Sequence, residues 1–422
     1  MTDSPIRDIE AEDWREAERH RVVRTRRALA AVLVVLAILL LIASLALVQI
    51  FQPVGKVANT TDASGLTWVR SIYGWGRGPN QQLVAPQGVA IGPDGTIWAT
   101  DQGNSRVVGF HPDGTLASML YQGVRTDPKS PNAFQFPTSV AVDENGLVYV
   151  GDQSGNNVYV MSPDNKVVRK IFVPTPSSVA VSSDRLVVGS ASGFVILTKT
   201  GGVIKVLGSQ GKGDKQFQGV RGVAIAKDDT IYAVDQYNNR VSAYDRNGVR
   251  KWIRVTGAPG NQSSVASSTV AAPGAEARLQ LPAEIAVDGA RRLVVVDPFG
   301  FDIAVLNAKD GTPIAAYGEA GGQDGQFTYP SGIAYDPQRD WFAVADTMNA
   351  RVQIVRLPDS GGTVLATANR TFSGPIRALF IPLALLFLAI VTGLVYRSMN
   401  RRRQRDAADV EGSSGPAEPV VE

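Results

Sequence analysis

The sequence predicts an all-β protein, a six-bladed β-propeller flanked by two transmembrane α-helices. Three observations predict this. One phrase recurs six times, beginning at Gly88, Ser139, Ser178, Gly222, Glu284 and Gly332: an entry residue, Val-Ala-Val or a near variant, a polar turn, a strand that in most copies ends in Asp, a short turn and another strand. Within each copy the apolar runs have strand length, and Gly, Pro, Asp or Asn stands at every reversal. Two long uncharged apolar stretches, Ala28–Phe51 and Ala378–Tyr396, bracket the repeats. A repeat of this period sets the architecture before any single residue is weighed.

Taken in order, residues 1–27 read as a cytoplasmic helix, with Ser4-Pro5 as a start signal and Glu and Arg three and four apart. Residues 28–51 would span about 36 Å as a helix at about 1.5 Å per residue, enough to cross a bilayer and longer than the apolar core of a cleaved signal peptide. Residues 52–65 form a linker and 66–358 the propeller. A second linker, 359–375, ends in Ser373-Gly374-Pro375, a helix start with proline in the first turn. Residues 376–396 form the second span. Residues 397–422 open with a basic cluster and continue as a tail rich in Asp, Glu, Gly, Ser and Pro, the composition of a disordered segment.

Arginines flank both spans on their outer ends, at Arg15, Arg19, Arg24 and Arg27 and again at Arg397, Arg401, Arg402 and Arg403. Basic residues stay on the cytoplasmic side. Both termini are therefore expected inside a plasma (inner) membrane, with the repeats outside it and the lipid bilayer as a partner of the two helices.

In the first unit the expected strands are Gly88–Gly92, Thr96–Asp101, Arg106–His111 and Thr115–Tyr121. Four antiparallel strands per copy is the size of a propeller blade. The last copy supplies three strands, ending near Arg356, and Leu66–Gly74 (LTWVRSIYG) is expected to supply its fourth. Such closure removes exposed sheet edges and sets the two ends of the propeller side by side. Thr256–Ala277, between the fourth and fifth copies, is low in charge and rich in Ser, Ala, Gly and Pro, which reads as a surface loop.

The chain resembles the NHL-repeat family of β-propellers, in its membrane-anchored bacterial form. The matching residues are the Pro-x-Gly-Val-Ala entry (Pro86, Gly88, Val89, Ala90) and the Asp-x-x-Asn-x-Arg-Val turn. That turn is complete at Asp101/Asn104/Arg106/Val107, Asp235/Asn238/Arg240/Val241 and Asp346/Asn349/Arg351/Val352. A Gly-rich lead-in ends in Gln216-Phe217 and Gln326-Phe327, and Gln135-Phe136 repeats the ending without the glycines. The other copies depart from the pattern: Asn157 and Asp302 stand where Arg is expected, and Ser190 where Asp is expected.

Composition removes several chemistries. The chain has no cysteine, hence no disulfides, thiolate metal sites or cysteine nucleophiles. Its two histidines, His20 and His111, exclude a multi-histidine metal site, and a net charge of +3 gives no strong field for nucleic acid. No Gly-x-x-x-x-Gly-Lys-Ser/Thr loop is present, and Gly208–Gly213 (GSQGKG) leads to no helix and reads as an inter-blade connection. The strand-end carboxylates Asp101, Asp152, Asp235, Asp297 and Asp346 repeat, so equal structural roles holding turns are expected of them. No cofactor or metal is expected.

The residues in those turns that do not repeat carry the binding expectation. They are Gln102, Gln236, Tyr237, Phe299, Phe301 and Met348, with Arg106 beside them and Gln153 in the second copy. Aromatics give large contact area at low entropic cost. Arg240 and Arg351 occupy the same place as Arg106, which also points to a structural role for it. The resemblance implies a non-enzymatic module recognising a protein, peptide or envelope polymer, as a sensor or as a subunit of an envelope complex. The alternative it implies is a metal-dependent hydrolase of the six-bladed sugar-lactonase type, for which Glu284 is one suitably placed acid.

Overall fold

The computed structural model describes residues 21–22, 65–120, 134–256, 279–361, 392–393, 396 and 400. The chain divides into two compact units, Met1–Gly55 and Lys56–Glu422. Of the first, Arg21 and Val22 are described, and both are helical. The two expected spans, the loop after Thr256 and the terminal tail lie outside the described residues, apart from helical Thr392, Gly393, Tyr396 and Asn400. Among the described residues no helix is long and apolar enough to cross a membrane.

The second unit holds six four-stranded antiparallel sheets. A first strand, β1 (Thr67–Ile72), precedes them in the chain. Blade 1 contains β2 (Pro86–Ile91), β3 (Ile97–Asp101), β4 (Arg106–Phe110) and β5 (Leu116–Leu120). Blade 2 contains β6 (Pro137–Val142), β7 (Val148–Asp152), β8 (Asn157–Met161) and β9 (Val167–Phe172). Blade 3 contains β10 (Ser178–Val181), β11 (Arg185–Ser190), β12 (Gly193–Thr198) and β13 (Val203–Leu207). Blade 4 contains β14 (Val220–Ile225), β15 (Ile231–Asp235), β16 (Arg240–Tyr244) and β17 (Arg250–Val255). Blade 5 contains β18 (Ile285–Val287), β19 (Arg292–Asp297), β20 (Asp302–Asn307) and β21 (Pro313–Tyr317). Blade 6 contains β22 (Pro330–Asp336), β23 (Trp341–Asp346) and β24 (Arg351–Arg356), and β1 completes it. The expected strand boundaries hold to within about two residues.

The expected closure is present: β1 pairs antiparallel with β24, from Thr67 opposite Arg356 to Ile72 opposite Val352. A Cβ placed on Gly65 would stand 3.6 Å from the Pro358 side chain, so both ends of the propeller leave from one place.

Burial follows strand position. β3, β4, β7 and β8 are buried throughout, whereas β9 and β13, the outermost strands of their blades, expose most of their residues. Packing lies between neighbouring sheets. Val148 and Val150 of blade 2 meet Ala90 and Trp98 of blade 1, while Tyr149 and Val160 turn to Val179 and Leu186 of blade 3. The alternation of side chains along a strand is what divides one strand between two interfaces. Each fully buried Val or Leu contributes roughly 1.5–3 kcal/mol.

Candidate binding face and channel mouth

The turns joining the second and third strands of the blades share one face with the starts of the innermost strands, because Pro86 pairs with Asp101, Pro137 with Asp152, Val220 with Asp235 and Pro330 with Asp346. At each of these four starts the register shifts by a bulge. A bulge re-aims the side chain it carries. Gln87, Thr138, Arg221 and Ser331 stand at these bulges, at the starts of the innermost strands.

The repeated Asp and Arg are structural, as their repetition implies. Asp101, Asp152, Asp235, Asp297 and Asp346 are all fully buried. In blades 1, 4 and 6 the aspartate accepts a backbone N–H on one oxygen, from Val84 at 2.6 Å, Gln218 at 2.8 Å or Thr328 at 2.7 Å. Its other oxygen takes the arginine Nε, at 2.6 Å for Arg106 and 2.9 Å for both Arg240 and Arg351. Each guanidinium then donates to carbonyls of the lead-in loop ahead of its blade: Arg106 to Asn80 and Gln82, Arg240 to Lys212, Gly213 and Gln216, Arg351 to Gln323 and Gln326. Each also faces a ring, Trp75 at 4.7 Å, Phe217 at 5.7 Å or Tyr73 at 5.9 Å. The segment Gly208–Gly213 is one of these clamped connections.

Repetition does not give all five aspartates equal surroundings. Asp152 holds its turn through Gln135, Phe136 and Gly155, with no arginine among the described residues bonded to it. Asp297 accepts N–H groups from Gln280, Leu281, Phe299 and Gly300 and faces Asp302 across the strand pair. The expectation of equal environments therefore fails in blades 2 and 5, where Asn157 and Asp302 stand opposite the aspartate in place of arginine.

The predicted binding residues separate into two groups. Tyr237 is 63% exposed, Phe299 53% and Met348 71%, on the successive blades 4, 5 and 6. Phe299 meets the Tyr329 ring edge-on with centroids 6.2 Å apart. Phe301 is partly buried in a left-handed backbone conformation at φ 55°. The rest turn inward. Arg106 and Gln236 are buried, the first fully engaged within its blade, and Gln102 is partly buried and accepts a long hydrogen bond from Gln87 at 3.4 Å. Exposed contact is thus left to Tyr237, Phe299 and Met348.

At the channel mouth the structure adds a tie that the repeat pattern hints at. The position before Val-Ala is Gly in blades 1, 4 and 6 and Ser in blades 2 and 3, but Glu284 in blade 5. A Cβ on Gly222 would run into the Ala283 carbonyl and approach Glu284 Cα at 2.9 Å. Past this gap Glu284 reaches from blade 5 to blade 3. Ser178 Oγ lies 3.1 Å from both of its carboxyl oxygens and accepts the Val223 N–H at 2.9 Å. Although Glu284 is only partly buried, desolvation pushes its carboxyl up to about 8 against hydrogen bonds from Ile285 and Ser178 and the charge of Arg221. Arg221 was not singled out by sequence reasoning, and Ser178 only as the entry residue of the third copy. The one signal for their role was position within the repeat, at the start of an innermost strand.

The model of the NHL repeat matches residues 83–110 and 134–157. Human NHL repeat-containing protein 3 is 25% identical over 258 residues, covering 56% of this chain and 69% of that protein. Its mouse counterpart is 26% identical over 281 residues, covering 61% and 76%. Among solved structures, virginiamycin B lyase from Staphylococcus aureus aligns with a TM-score of 0.45 and 16% identity, over 71% of this chain and 93% of that one. A gluconolactonase from Xanthomonas campestris aligns at 0.48 and 13%, over 71% and 92%. Identities this low transfer no activity.

Proposed function

Because this chain is an NHL-repeat six-bladed β-propeller, we propose that it is a non-enzymatic binding module, tethered to a membrane and displayed on its outer side. Its ligand is a protein, peptide or envelope polymer, held as part of a sensor or an envelope complex. The observation that carries the reading is the run of exposed Tyr237, Phe299 and Met348 on three successive blades of one face. The corresponding turns of blades 1 to 3 carry Gln102-Gly103-Asn104, Gln153-Ser154-Gly155 and Ala191-Ser192, with no large apolar residue. Buried aromatics surrounded by polar neighbours are the usual anchors of an interface.

The tether rests on the apolar stretches 28–51 and 376–396 and on the arginines outside them. Two spans with both termini cytoplasmic suit a propeller whose ends leave together at Gly65 and Pro358.

Gentle solubilisation of the full chain, followed by identification of co-purifying molecules, tests the reading. Tyr237→Ala and Phe299→Ala should each weaken the captured partner by about 1 kcal/mol or more while the melting temperature stays within a few degrees. If both bind as the parent does, and substitutions on the opposite face at Asp94, Asp113 and Asn247 weaken binding, the face is misassigned.

Glu284 keeps the lactonase-type alternative in view, as the one acid among the six inner-strand entry positions. Its oxygens face a serine hydroxyl, a backbone N–H and Arg221, and among the described residues no three His, Asp or Glu side chains gather. This donor set does not fit a divalent metal. Stoichiometric metal in the purified chain, together with lactone turnover, would replace the binding reading.

A further inference from the structure

The outermost strand of blade 3 differs from those of blades 4 and 6 in what lies against it. In blades 4 and 6 the lead-in ahead of the blade, residues 208–219 and 318–329, runs back over that blade's own outer strand. Arg250 of β17 donates to the Asp214 carbonyl and meets its carboxylate at 3.5 Å. Ser71 of β1 donates to Asp324 at 2.8 Å, and a Cβ on Gly325 would lie 3.7 Å from Leu66 and 3.9 Å from Trp68. The lead-in to blade 3 is five residues, 173–177, of which Val173, Pro176 and Ser177 are buried. A segment this short passes from β9 to β10 with no length left to cover β13.

Exposure follows. Two of six residues are exposed in β17 and none in β1, whereas four of five are exposed in β13. Val203 is 65% exposed, Ile204 44% and Val206 70%. β13 ends its sheet and pairs on one side only, with β12. Its outer edge therefore offers unpaired backbone groups among exposed β-branched side chains, the combination that recruits another strand.

We propose that the outer edge of β13 takes up an extended strand of a partner polypeptide, apolar opposite Ile204 and Val206 and acidic opposite Lys205. This is a second interaction surface, on the rim and apart from the turns that carry Tyr237, Phe299 and Met348. Two observations choose the occupant. Lys205 is the one charged residue of the strand, and it donates to the Asn247 and Gly248 carbonyls at 3.0 and 3.4 Å with no salt bridge to a described carboxylate. An acid on an added strand completes a cross-strand pair with it. The same charge argues against a second copy of this chain, because antiparallel pairing of β13 with itself about its midpoint sets Lys205 against Lys205. In such strand addition main-chain bonds supply affinity and alternate side chains select the sequence.

The test titrates the full chain in mild detergent with a capped peptide of alternating valine and glutamate, and with the valine–lysine peptide as its charge-reversed control. Saturable binding is expected with the first and not with the second, together with slower amide hydrogen exchange across residues 203–207. Lys205→Glu should weaken the glutamate peptide by about ten-fold or more and admit the lysine peptide, while its unliganded melting temperature stays within a few degrees of the parent. A merely structural role for Lys205 would not exchange one peptide for the other.

No saturation by the glutamate peptide, equal affinity for both peptides, or binding without slowed exchange in β13 would overturn the proposal. So would an equal response to inorganic polyphosphate, which would make the rim a site for anions in general. Slow exchange in β13 before any peptide is added would overturn it too. The edge would then be covered by this chain if the protection is independent of protein concentration, and by a second copy if it rises with concentration. The peptide titration does not involve partner capture at Tyr237 and Phe299, so the two surfaces can fail separately.

Discussion

Tyr73 and Arg351, separated by 278 positions in the chain, are joined by a hydrogen bond in which Arg351 Nη1 donates to the Tyr73 hydroxyl at 3.0 Å. Tyr73 follows the first strand of the propeller and Arg351 opens the last, so this contact sits on the seam that closes the ring. The same guanidinium is only 1% exposed, holds Asp346 at 2.9 Å and clamps the carbonyls of Gln323 and Gln326. One residue therefore ties the closing strand, the strand-end carboxylate and the preceding lead-in loop.

Removing Arg351 should be costly for that reason. Arg351→Ala leaves Asp346 buried without its counter-ion and is expected to lose about 3–5 kcal/mol in chemical denaturation. Tyr73→Phe removes one hydrogen bond and should cost about 1 kcal/mol. A truncated protein beginning at Pro79 lacks β1, leaves β24 as an open edge, and should aggregate or lose cooperative unfolding. A truncated protein as stable as residues 58–360 would show that closure contributes nothing.

The narrow approach of the innermost strands predicts a second effect. Gly222→Ala places a methyl against the Ala283 carbonyl and Glu284 Cα, both backbone atoms that cannot swing aside. A loss of about 1–3 kcal/mol is expected, the usual cost of overpacking. A Cβ at Gly146 meets nothing within 4 Å, so Gly146→Asn, which tolerates that residue's φ of 80°, should be nearly neutral. Thermal melts of the two variants side by side decide whether close approach or backbone freedom governs these glycines.

The channel tie predicts a pH dependence. The Glu284 carboxyl rises from 4.5 to about 8 on folding, so the folded chain binds this proton more tightly than the unfolded one. Its contribution to stability is fully present below about pH 4.5 and declines as pH rises toward about 8. Melting temperatures measured from pH 5 to pH 9 should therefore fall less steeply in Glu284→Gln than in the parent. Asp302 titrates in the same window, so Asp302→Asn should flatten the profile independently. Parallel profiles for parent and Glu284→Gln would mean that the carboxyl is solvated.

Orientation is tested by accessibility. A cysteine introduced at Ser130, in a chain with no native cysteine, should react with an impermeant thiol reagent on intact cells, and one at Ser413 should react only after lysis. Reversed labelling would sink the proposed topology.

Much of the fold was legible because a repeated phrase carries its own register. The Val-Ala-Val cores, the Pro-Asp-Gly turns and the strand-end aspartates each announce a local structure that backbone sterics and hydrogen bonding enforce wherever the phrase occurs. Even the closing strand could be found, because a blade short of one strand leaves an edge that only Leu66–Gly74 was placed to cover. The candidate site was legible in part. Tyr237, Phe299 and Met348 stood out as the apolar members of polar turns, and they are the exposed ones. Arg106 and Gln236 looked the same in one dimension yet are buried, since exposure depends on what the preceding loop does with its carbonyls.

The sequence by itself determined the number of blades, the strand order within each, the absence of cysteine and multi-histidine chemistry, and the place of closure. The tertiary structure alone decided which residues meet across blades. Glu284 and Ser178 lie 106 positions apart and touch because Gly222 between them has no side chain. Asp302 confronts Asp297 because strand register sets it where three other blades have arginine. Local patterns specify elements through interactions within a few residues. Contacts between blades depend on how the closed ring packs, and a carboxylate's surroundings are fixed only when every blade is in place.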